Sequence, residues 1–296
     1  MRRIPKSDHK NHYLYMLTLL FKAMAYLPLQ VLHVLGGLVG QLMWLLSPSY
    51  AQRLRENIEF VYSGTESKNI IKNNILESGK AILELPAIWF RSHQATAKLM
   101  RAVHGLDLVE EAVANKRGVI LLTPHIGCFE IIPHFLSTKF PFTAMYREPK
   151  IRYLSKLMKF GRSREGINLA PADTSGVRML LKALKVGGVV GILPDQVPTS
   201  GDGEWAEFFG RPAYTMVMWR RLAERSGASV FLMHTRRLSN GRGYELFFNA
   251  LPEKLPSETA SDQLNRGIEV IVKQNPSQYL WSYNRFKKPA GSHERN

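Results

Sequence analysis

Two residues that suit acid–base chemistry stand five positions apart in the segment TPHIGCFE, which occupies positions 123–130. They are His125 and Glu130. An imidazole titrates near neutral pH and is the most frequent general base in enzymes. A carboxylate beside it can hold one ring nitrogen, which fixes the tautomer and leaves the other nitrogen to accept a proton. The pair therefore predicts a site of proton abstraction, with His125 as the base and Glu130 as the residue that orients it.

The spacing of this pair requires a break in regular structure between its two members. On one continuous helix, five residues correspond to about 500° of rotation and leave the side chains roughly 140° apart. The apolar run before the pair predicts a short buried strand over 118–122, which Pro124 ends. Apolar residues after it predict a helix over 126–138. His125 then lies on a strand-to-helix turn, and Glu130 lies in or near the first turns of the helix.

The pair is two thirds of a Ser-His-Asp arrangement, and a substrate can supply the missing member. A hydroxyl on an acceptor molecule can replace the enzyme's serine and attack an acyl thioester directly, so that no acyl-enzyme forms. Cys128 is the single cysteine of the chain, and an acyl-cysteine is the alternative. A buried cysteine packed as a small hydrophobe is the commoner role for this residue. One cysteine also excludes an intramolecular disulfide, which is compatible with a reducing, cytoplasm-facing domain.

The elements that must position the pair alternate along the chain and predict an α/β fold, with a mostly parallel central sheet flanked by helices. Asn240-Gly241, between two apolar runs, predicts an antiparallel hairpin on the edge of this sheet. An amphipathic helix is predicted over 67–93, and the segment LWSYNRF near the C-terminus predicts a last strand. The remaining predicted strands cover 142–146, 166–170 and 188–193, and the remaining helices cover 151–160, 174–185 and 258–274.

The N-terminal part is apolar over residues 13–46, longer than the roughly 20 residues that span a bilayer. Pro28 interrupts it. The segment is therefore either one kinked spanning helix, with 29–46 as its more apolar half, or two interfacial helices joined at the proline. Gly36 and Gly40 have the GxxxG spacing that lets another helix approach closely. We expect residues 1–50 to form a membrane anchor and residues 51–296 to form the catalytic domain.

The chain carries 40 Lys and Arg against 24 Asp and Glu, a net charge of +16. Such a charge favours anionic partners, which include nucleic acid, an acidic membrane face and phosphorylated substrates. Composition does not separate these classes. The apolar N-terminus favours the membrane, and no nucleic-acid partner is expected.

Several blocks of the sequence are similar to the lysophospholipid acyltransferase superfamily, which carries a His-x4-Asp/Glu motif, and within it to the bacterial lipid A late acyltransferases. The chain departs from many members at Cys128-Phe129, where they read Asn-Trp. The blocks follow the family's order over most of the chain beyond about residue 75, and they are GVILLTPHIGCFE, FTAMYREPK, GRSREG, LKVGGVVGILPDQVP, FFGRPAYT and QYLWSYNRFK.

The resemblance implies roles for two arginines, and position in the sequence suggests two further residues. Arg147 and Arg164 match family positions near the active site, and each could bind a substrate phosphate. Asp195 follows a buried run and so lies where a strand ends; it could orient Arg164 or position the acceptor, or simply form a turn. Gly127 could let backbone N–H groups approach a developing oxyanion.

The resemblance implies an acyltransferase that moves a fatty acyl chain from an acyl carrier protein thioester to a hydroxyl of a lipid A precursor. Its place would be the inner membrane, with the catalytic domain facing the cytoplasm. Neither a cofactor nor a metal is expected, because no ligand spacing or phosphate-binding glycine motif is present. One alternative is an acyltransferase for lysophospholipid or another glycolipid. Another is a membrane-attached binder of anionic lipid or nucleic acid that performs no chemistry.

Overall fold

The computed structural model describes residues 12–149, 152–163 and 165–292, and it confirms the α/β fold. Seven strands form a mostly parallel sheet, and two more form a separate antiparallel hairpin. The strands are β1 (Met100–His104), β2 (Val119–Leu122), β3 (Phe142–Tyr146), β4 (Ile167–Pro171), β5 (Val189–Ile192), β6 (Gly203–Phe208), β7 (Arg211–Met216), β8 (Ser229–Arg237) and β9 (Tyr244–Ala250).

Helices cover both faces of the sheet and form the whole N-terminal part of the described chain. The predicted helices over 151–160, 174–185 and 258–274 are confirmed as α9, α10 and α12. The helices are α1 (His12–Ala25), α2 (Leu29–Leu46), α3 (Pro48–Val61), α4 (Gly64–Leu83), α5 (Leu85–Phe90), α6 (His93–Ala97), α7 (Leu106–Ala114), α8 (Ile131–Leu136), α9 (Arg152–Arg162), α10 (Thr174–Lys185), α11 (Met218–Ser226) and α12 (Ala260–Gln274).

The order of strands in the large sheet is β1-β9-β8-β2-β5-β3-β4. Five neighbours, from β8 to β4, run parallel, whereas β9 pairs antiparallel with β8 and parallel with β1. The predicted hairpin around Asn240-Gly241 is present. The prediction that this hairpin forms the edge of the sheet is wrong, because β1 pairs with β9 and is itself the edge strand. Strands β1, β6 and β7 were not predicted from the sequence.

Two other expectations differ from the structure near the site. Helix α8 begins at Ile131 and covers only part of the predicted 126–138. The segment LWSYNRF is not a strand: it consists of turns, and the adjoining Tyr279 makes one isolated bridge with Ile126. Both differences have the same physical reason: residues 125–127 pair with the C-terminal segment around Tyr279 before the helix begins.

The core lies on both faces of the parallel strands. Every residue of β2 and β5 is buried, as expected for parallel strands covered on two sides. Ile120 and Ile192 point to the face that α10, α11 and α12 cover, and Val119 and Leu121 point to the face that α7 and α8 cover. A third apolar cluster joins α1, α2, α5 and α9. The first two clusters hold the ends of the central strands in place, and these ends carry the site.

The apolar N-terminal segment forms two helices, α1 and α2, with the break before Pro28. By length and composition, α2 is the one described helix that could cross a membrane, with 18 residues and a mean hydropathy of 1.6. A third of it is buried inside the protein. The outward face of both helices is apolar and exposed, formed by Tyr15, Met16, Leu19 and Leu20 of α1 and Val31, Val34, Leu35, Leu38, Leu42, Leu45 and Leu46 of α2.

The inward face of α2 packs on α4 at backbone contact. A Cβ added to Gly40 would lie 2.0 Å from the Ile75 carbonyl oxygen, and one added to Gly36 would lie 2.7 Å from Lys80 Cα. Gly79 of α4 completes the contact, since a Cβ there would lie 1.9 Å from the Gly36 carbonyl oxygen. The GxxxG spacing therefore serves close helix approach, and the partner helix belongs to the same chain.

We expect Gly40→Ala to destabilise the protein by about 1–3 kcal/mol, because the added methyl group has no room and overpacking outweighs the better helix propensity of alanine. The measurement is thermal unfolding of the purified protein in detergent, followed by circular dichroism. Gly37→Ala is the matched control, since its nearest neighbour would be the flexible Leu76 Cδ2 at 3.5 Å. Equal melting temperatures for the two variants would contradict the close-packing interpretation.

Candidate active site

A cavity of about 670 Å³ opens at the carboxyl ends of the parallel strands. His125 reaches it from the end of β2, Arg147 from the end of β3, and Asp173 from beyond β4. Asp195 and Gln196 follow β5, and Gln196 also lines the cavity. The carboxyl edge of a parallel sheet is where α/β folds collect their ligand sites. The order of strands therefore brings together residues that are far apart in the chain.

The imidazole of His125 is held by Asp195. The Asp195 carboxylate accepts a hydrogen bond from His125 Nδ1 at 2.7 Å and another from the His125 backbone N–H at 2.9 Å. The other ring nitrogen, Nε2, lies 3.2 Å from the side-chain nitrogen of Gln196. With its proton on Nδ1, the ring presents the Nε2 lone pair toward the cavity. Asp195 therefore performs the orienting task that the sequence analysis gave to Glu130.

Glu130 has a different partner from the one expected. Its carboxylate forms a bidentate ion pair with Arg162 of α9, in which Nε lies 3.0 Å from Oε2, and it also accepts a 3.2 Å hydrogen bond from Trp89 Nε1. It makes no hydrogen bond with His125. The physical reason is the delayed start of α8, which turns Glu130 toward α5 and α9. Whether His125 and Glu130 are catalytic residues stays a prediction.

Both carboxylates are buried and are held in the charged form. Burial alone would raise the pKa of Asp195, but the imidazole of His125 and the two hydrogen bonds from that residue hold the pKa below its ordinary value. Burial would likewise raise the pKa of Glu130, and the charge and hydrogen bonds of Arg162 lower it instead. The site therefore keeps two fixed negative charges, each beside its own partner.

The turn that carries His125 is fastened to the C-terminal segment. The Gly127 N–H donates to the Gln278 carbonyl at 3.1 Å, and the Leu280 N–H donates to the His125 carbonyl at 3.0 Å. Gly127 has φ +61°, and a Cβ there would lie 2.1 Å from the Thr235 carbonyl oxygen. This position requires glycine for conformation and for space. The Gly127 N–H is bonded to Gln278. That this glycine lets other backbone N–H groups approach an oxyanion stays a prediction.

A buried charge cluster supports the same turn from below. The Arg237 guanidinium bonds Glu84 through two nitrogens, at 2.8 and 2.6 Å, and Glu77 through a third at 2.6 Å. It also donates to the Gly127 carbonyl at 3.1 Å. On the other side, Glu84 contacts His33 Nε2 at 3.3 Å. The cluster therefore connects the apolar helix α2 to the turn that carries His125.

Cys128 is buried, with 2% of its surface exposed, and it does not line the cavity. Burial raises the pKa of its thiol well above the ordinary value, and the nearby carboxylate of Glu84 adds to this effect. A thiolate is the nucleophilic form of cysteine. The buried thiol is therefore poorly suited to form an acyl-enzyme, and the expected packing role is confirmed.

The remaining candidates have different outcomes. Arg147 is exposed and lines the cavity beyond the end of β3. Arg164 lies outside the described residues. Among the residues that the structure describes, no group of three or more His, Cys, Asp or Glu side chains is arranged to hold a metal ion.

Sequence reasoning missed several residues that line the cavity. Arg162 stands in GRSREG, two positions before Arg164, and only the fold shows that it meets Glu130. Arg221 and Arg225 line the cavity from α11, one helical turn apart. The spacing of Arg221 and Arg225 could have placed them on one face of an amphipathic helix, but it did not indicate that this face borders the cavity. Five methionines also line the wall, namely Met145, Met158, Met216, Met218 and Met233.

Comparison with known proteins adds an independent finding. The family profile described as bacterial lipid A biosynthesis acyltransferase matches residues 1–288. The chain is 27% identical over 275 residues to a lipid A biosynthesis lauroyltransferase of Escherichia coli (strain K12), covering 90% of this chain and 88% of that protein. It is 28% identical to a lipid A biosynthesis palmitoleoyltransferase of the same strain, with the same coverage. A lipid A biosynthesis acyltransferase of Haemophilus influenzae is 24% identical, over 87% of this chain and 82% of that protein.

We expect the Glu84–Arg237 cluster to make the free energy of unfolding depend on pH below 4.5, the ordinary pKa of a glutamate carboxyl. Burial opposes the charge of Glu84, but Arg237 outweighs it and lowers the pKa of this carboxyl from 4.5 to about 2. A depressed folded-state pKa adds stability that is present above pH 4.5 and is lost as the pH falls toward 2. In Glu84→Gln, this part of the acid dependence should disappear. At neutral pH the variant should be less stable by about 3–5 kcal/mol, since Arg237 loses a buried partner.

The measurement is the midpoint of urea unfolding for the unaltered protein and for Glu84→Gln. It is repeated at several pH values, from pH 7 down to the lowest pH at which the protein stays soluble. Glu245→Gln is the control, because Glu245 pairs with the half-exposed Arg236 and should matter by less than about 1 kcal/mol. An acid dependence in Glu84→Gln equal to that of the unaltered protein would disprove the assignment.

Proposed function

Because the chain belongs to the bacterial lipid A biosynthesis acyltransferase family, we propose that it transfers a fatty acyl group from an acyl carrier protein thioester to a hydroxyl of a lipid A precursor. Membership makes the protein an acyltransferase of lipid A biosynthesis. The donor, the acceptor hydroxyl and the mechanism are the proposal. The observation that carries it is the His125 imidazole, fixed by Asp195 on one side and directed toward the cavity on the other.

In the proposed reaction, His125 Nε2 accepts the proton of the acceptor hydroxyl while the hydroxyl oxygen attacks the thioester carbonyl. The tetrahedral intermediate then expels the carrier thiolate, which takes the proton from the imidazolium. An ester forms, a thioester breaks, and no acyl-enzyme is needed. Asp195 is a positioning residue, because it keeps the Nδ1 proton in place and stabilises the imidazolium. The acceptor hydroxyl takes the place of Gln196 beside Nε2.

Glu130 acts in this proposal through Arg162. The ion pair holds the guanidinium at the wall of the cavity, where Arg147 also lies. Two arginines that line one cavity suit phosphate or another anionic group, because guanidinium binds such groups in a bidentate manner. Loss of Glu130 would leave Arg162 part-buried and unpaired, and its position would change. Under this proposal Glu130 is required for catalysis without any contact between Glu130 and His125.

The apolar part of the cavity suits an acyl chain. Its wall includes the five methionines, Leu169 and Leu193. Unbranched methionine side chains adapt to flexible apolar ligands. A volume of about 670 Å³ lies within the range of ligand pockets and leaves room for a chain beside the polar end at His125.

The proposed location is the inner membrane, with the catalytic domain on the cytoplasmic side. The exposed apolar face of α1 and α2 is the support for membrane contact. Helix α1 packs against α9, and α9 carries Arg162, so this side of the cavity adjoins a helix that would contact lipid. A glycolipid acceptor could reach the cavity from that side. The cytoplasmic orientation rests on the donor, since acyl thioesters are cytoplasmic.

We expect His125→Ala to lower acyl transfer at least about 100-fold, because the general base is lost. The purified variant is assayed with acyl carrier protein thioester and lipid A precursor. In cells that lack the natural protein, the unaltered gene should add one acyl mass to lipid A in mass spectra, and the variant should not. Glu130→Ala should also lose activity.

Two results would overturn this function: acyl transfer by His125→Ala at the unaltered rate, or lipid A masses that do not depend on the gene. If lysophospholipid were acylated in place of the lipid A precursor, the acceptor would be wrong while the mechanism remained. Fractionation of the same cells tests the location, since recovery in the soluble fraction would contradict membrane attachment.

Asp195→Asn should lower kcat about 100-fold or more with little change in KM, since an amide that donates to Nδ1 favours the tautomer with its proton on Nε2. Steady-state kinetics with both substrates varied measures the split. Asp173→Asn is the matched control: Asp173 lines the same cavity, but its carboxylate caps α10, and asparagine caps a helix equally well. If Asp195→Asn raised KM and left kcat unchanged, Asp195 would bind substrate and would not position His125.

A further inference from the structure

Four exposed basic side chains lie on two helices that pack against each other beside the cavity. Arg178 and Lys182 are one turn apart on α10, and Arg221 and Arg225 are one turn apart on α11. The two helices are in contact. Residues four apart share one face of a helix, so each pair forms a short basic row. We call these four residues the α10–α11 basic surface.

The positive charge of this surface is not neutralised within the described part of the protein. None of the four side chains has an ion-pair partner there, whereas the half-exposed Arg236 and Arg266 each have one. Helix α10 contains no acidic residue, and its N-cap Asp173 binds the backbone N–H groups of Ser175 and Gly176. The single acid of α11, Glu224, lies 3.8 Å from Arg220.

The surface borders the cavity directly. Arg221 and Arg225 line it, and so do the apolar side chains Val177, Leu181 and Leu222 of the same two helices. The helix pair thus presents charge outward and an apolar wall inward. This arrangement suits a donor whose acyl chain enters the protein while its polar carrier remains outside.

Helix α1, which carries part of the exposed apolar face, belongs to a different apolar cluster from α10 and α11. Helices α10 and α11 pack with α12 on one face of the sheet. Helix α1 packs with α5 and α9, and their shared apolar cluster is a different one. In this proposal a lipid approaches the cavity along α1 and α9, and a soluble protein approaches it along α10 and α11.

We propose that the α10–α11 basic surface docks the acyl carrier protein through acidic side chains of that partner, and that the thioester reaches His125 through the adjoining cavity. The proposal rests on the proposed function, which names this donor. Opposite charges across such a surface raise the rate of association and orient the partner. Arg178 and Lys182 do not line the cavity, so they act on the carrier and leave the thioester itself untouched.

The test compares two donors that carry the same acyl group, one on acyl carrier protein and one on pantetheine, which has no charge. In Arg178→Glu/Lys182→Glu, kcat/KM with the carrier protein should fall about tenfold or more, because two attractive contacts become repulsive. With acyl-pantetheine it should stay within about twofold, which also shows that the variant folds. Raising the salt concentration from about 50 to 300 mM should lower kcat/KM with the carrier donor, and it should do so more for the unaltered enzyme than for the variant.

Arg117→Glu/Lys254→Glu is the matched control, since both side chains are exposed and lie near the opposite end of the sheet. It should keep full activity with both donors. The docking proposal is overturned if this control loses as much activity with the carrier donor as the α10 variant. Equal loss with both donors in the α10 variant also overturns it, and a raised KM for the acceptor would then assign the surface to lipid phosphate. An unaltered enzyme that accepts acyl-pantetheine and rejects the carrier thioester would overturn the proposed donor itself.

Discussion

The site depends on a turn that has no regular structure of its own. Residues 125–130 follow a strand and precede a short helix, and distant parts of the chain supply the hydrogen bonds that hold them. Gln278 and Leu280 bind the turn from the C-terminal segment, and Arg237 binds it from β8. The close approach to Thr235 leaves room only for a glycine at position 127. These contacts set the direction in which the His125 ring points.

The C-terminal segment is in turn held by the helices of the N-terminal part. Asn74 of α4 donates to the carbonyls of Ser277 and Tyr279, both at 2.8 Å. Asn57 of α3 donates to the Trp281 carbonyl at 2.6 Å. Because α4 also packs at backbone contact against α2, the exposed apolar face and the turn of the active site belong to one connected structure.

The two carboxylates near the turn are buried, and each has a cationic or ionisable partner of its own. Asp195 holds the imidazole, and Glu130 holds Arg162. Buried charges require such pairing, because an unpaired charge in the protein interior is costly. Orienting the imidazole and holding the guanidinium are therefore the tasks of two different carboxylates. In the proposed reaction, Asp195 serves proton transfer through His125, and Glu130 keeps the positive charge of Arg162 at the cavity.

Local sequence patterns were sufficient for much of the fold. The strand over 142–146 and the helix over 174–185 agree with the structure at both ends, because an unbroken apolar run and a 3.6-residue period are properties of the segment itself. The same reasoning placed His125 on a turn after a buried strand, and it placed helix α2 at 29–46. The GxxxG spacing predicted a close helix contact, although not its partner.

Tertiary structure alone decided which groups meet. Asp195 and His125 are neighbours because β5 pairs with β2, and strand order depends on the burial of the whole sheet. Strand β1 and the turns of the C-terminal segment escaped prediction because their hydrogen bonds go to distant residues. The sequence by itself determined the chemistry available at positions 125 and 130 and the α/β class. The fold determined the partner of each group, because side-chain proximity depends on how distant segments pack and not on spacing along the chain.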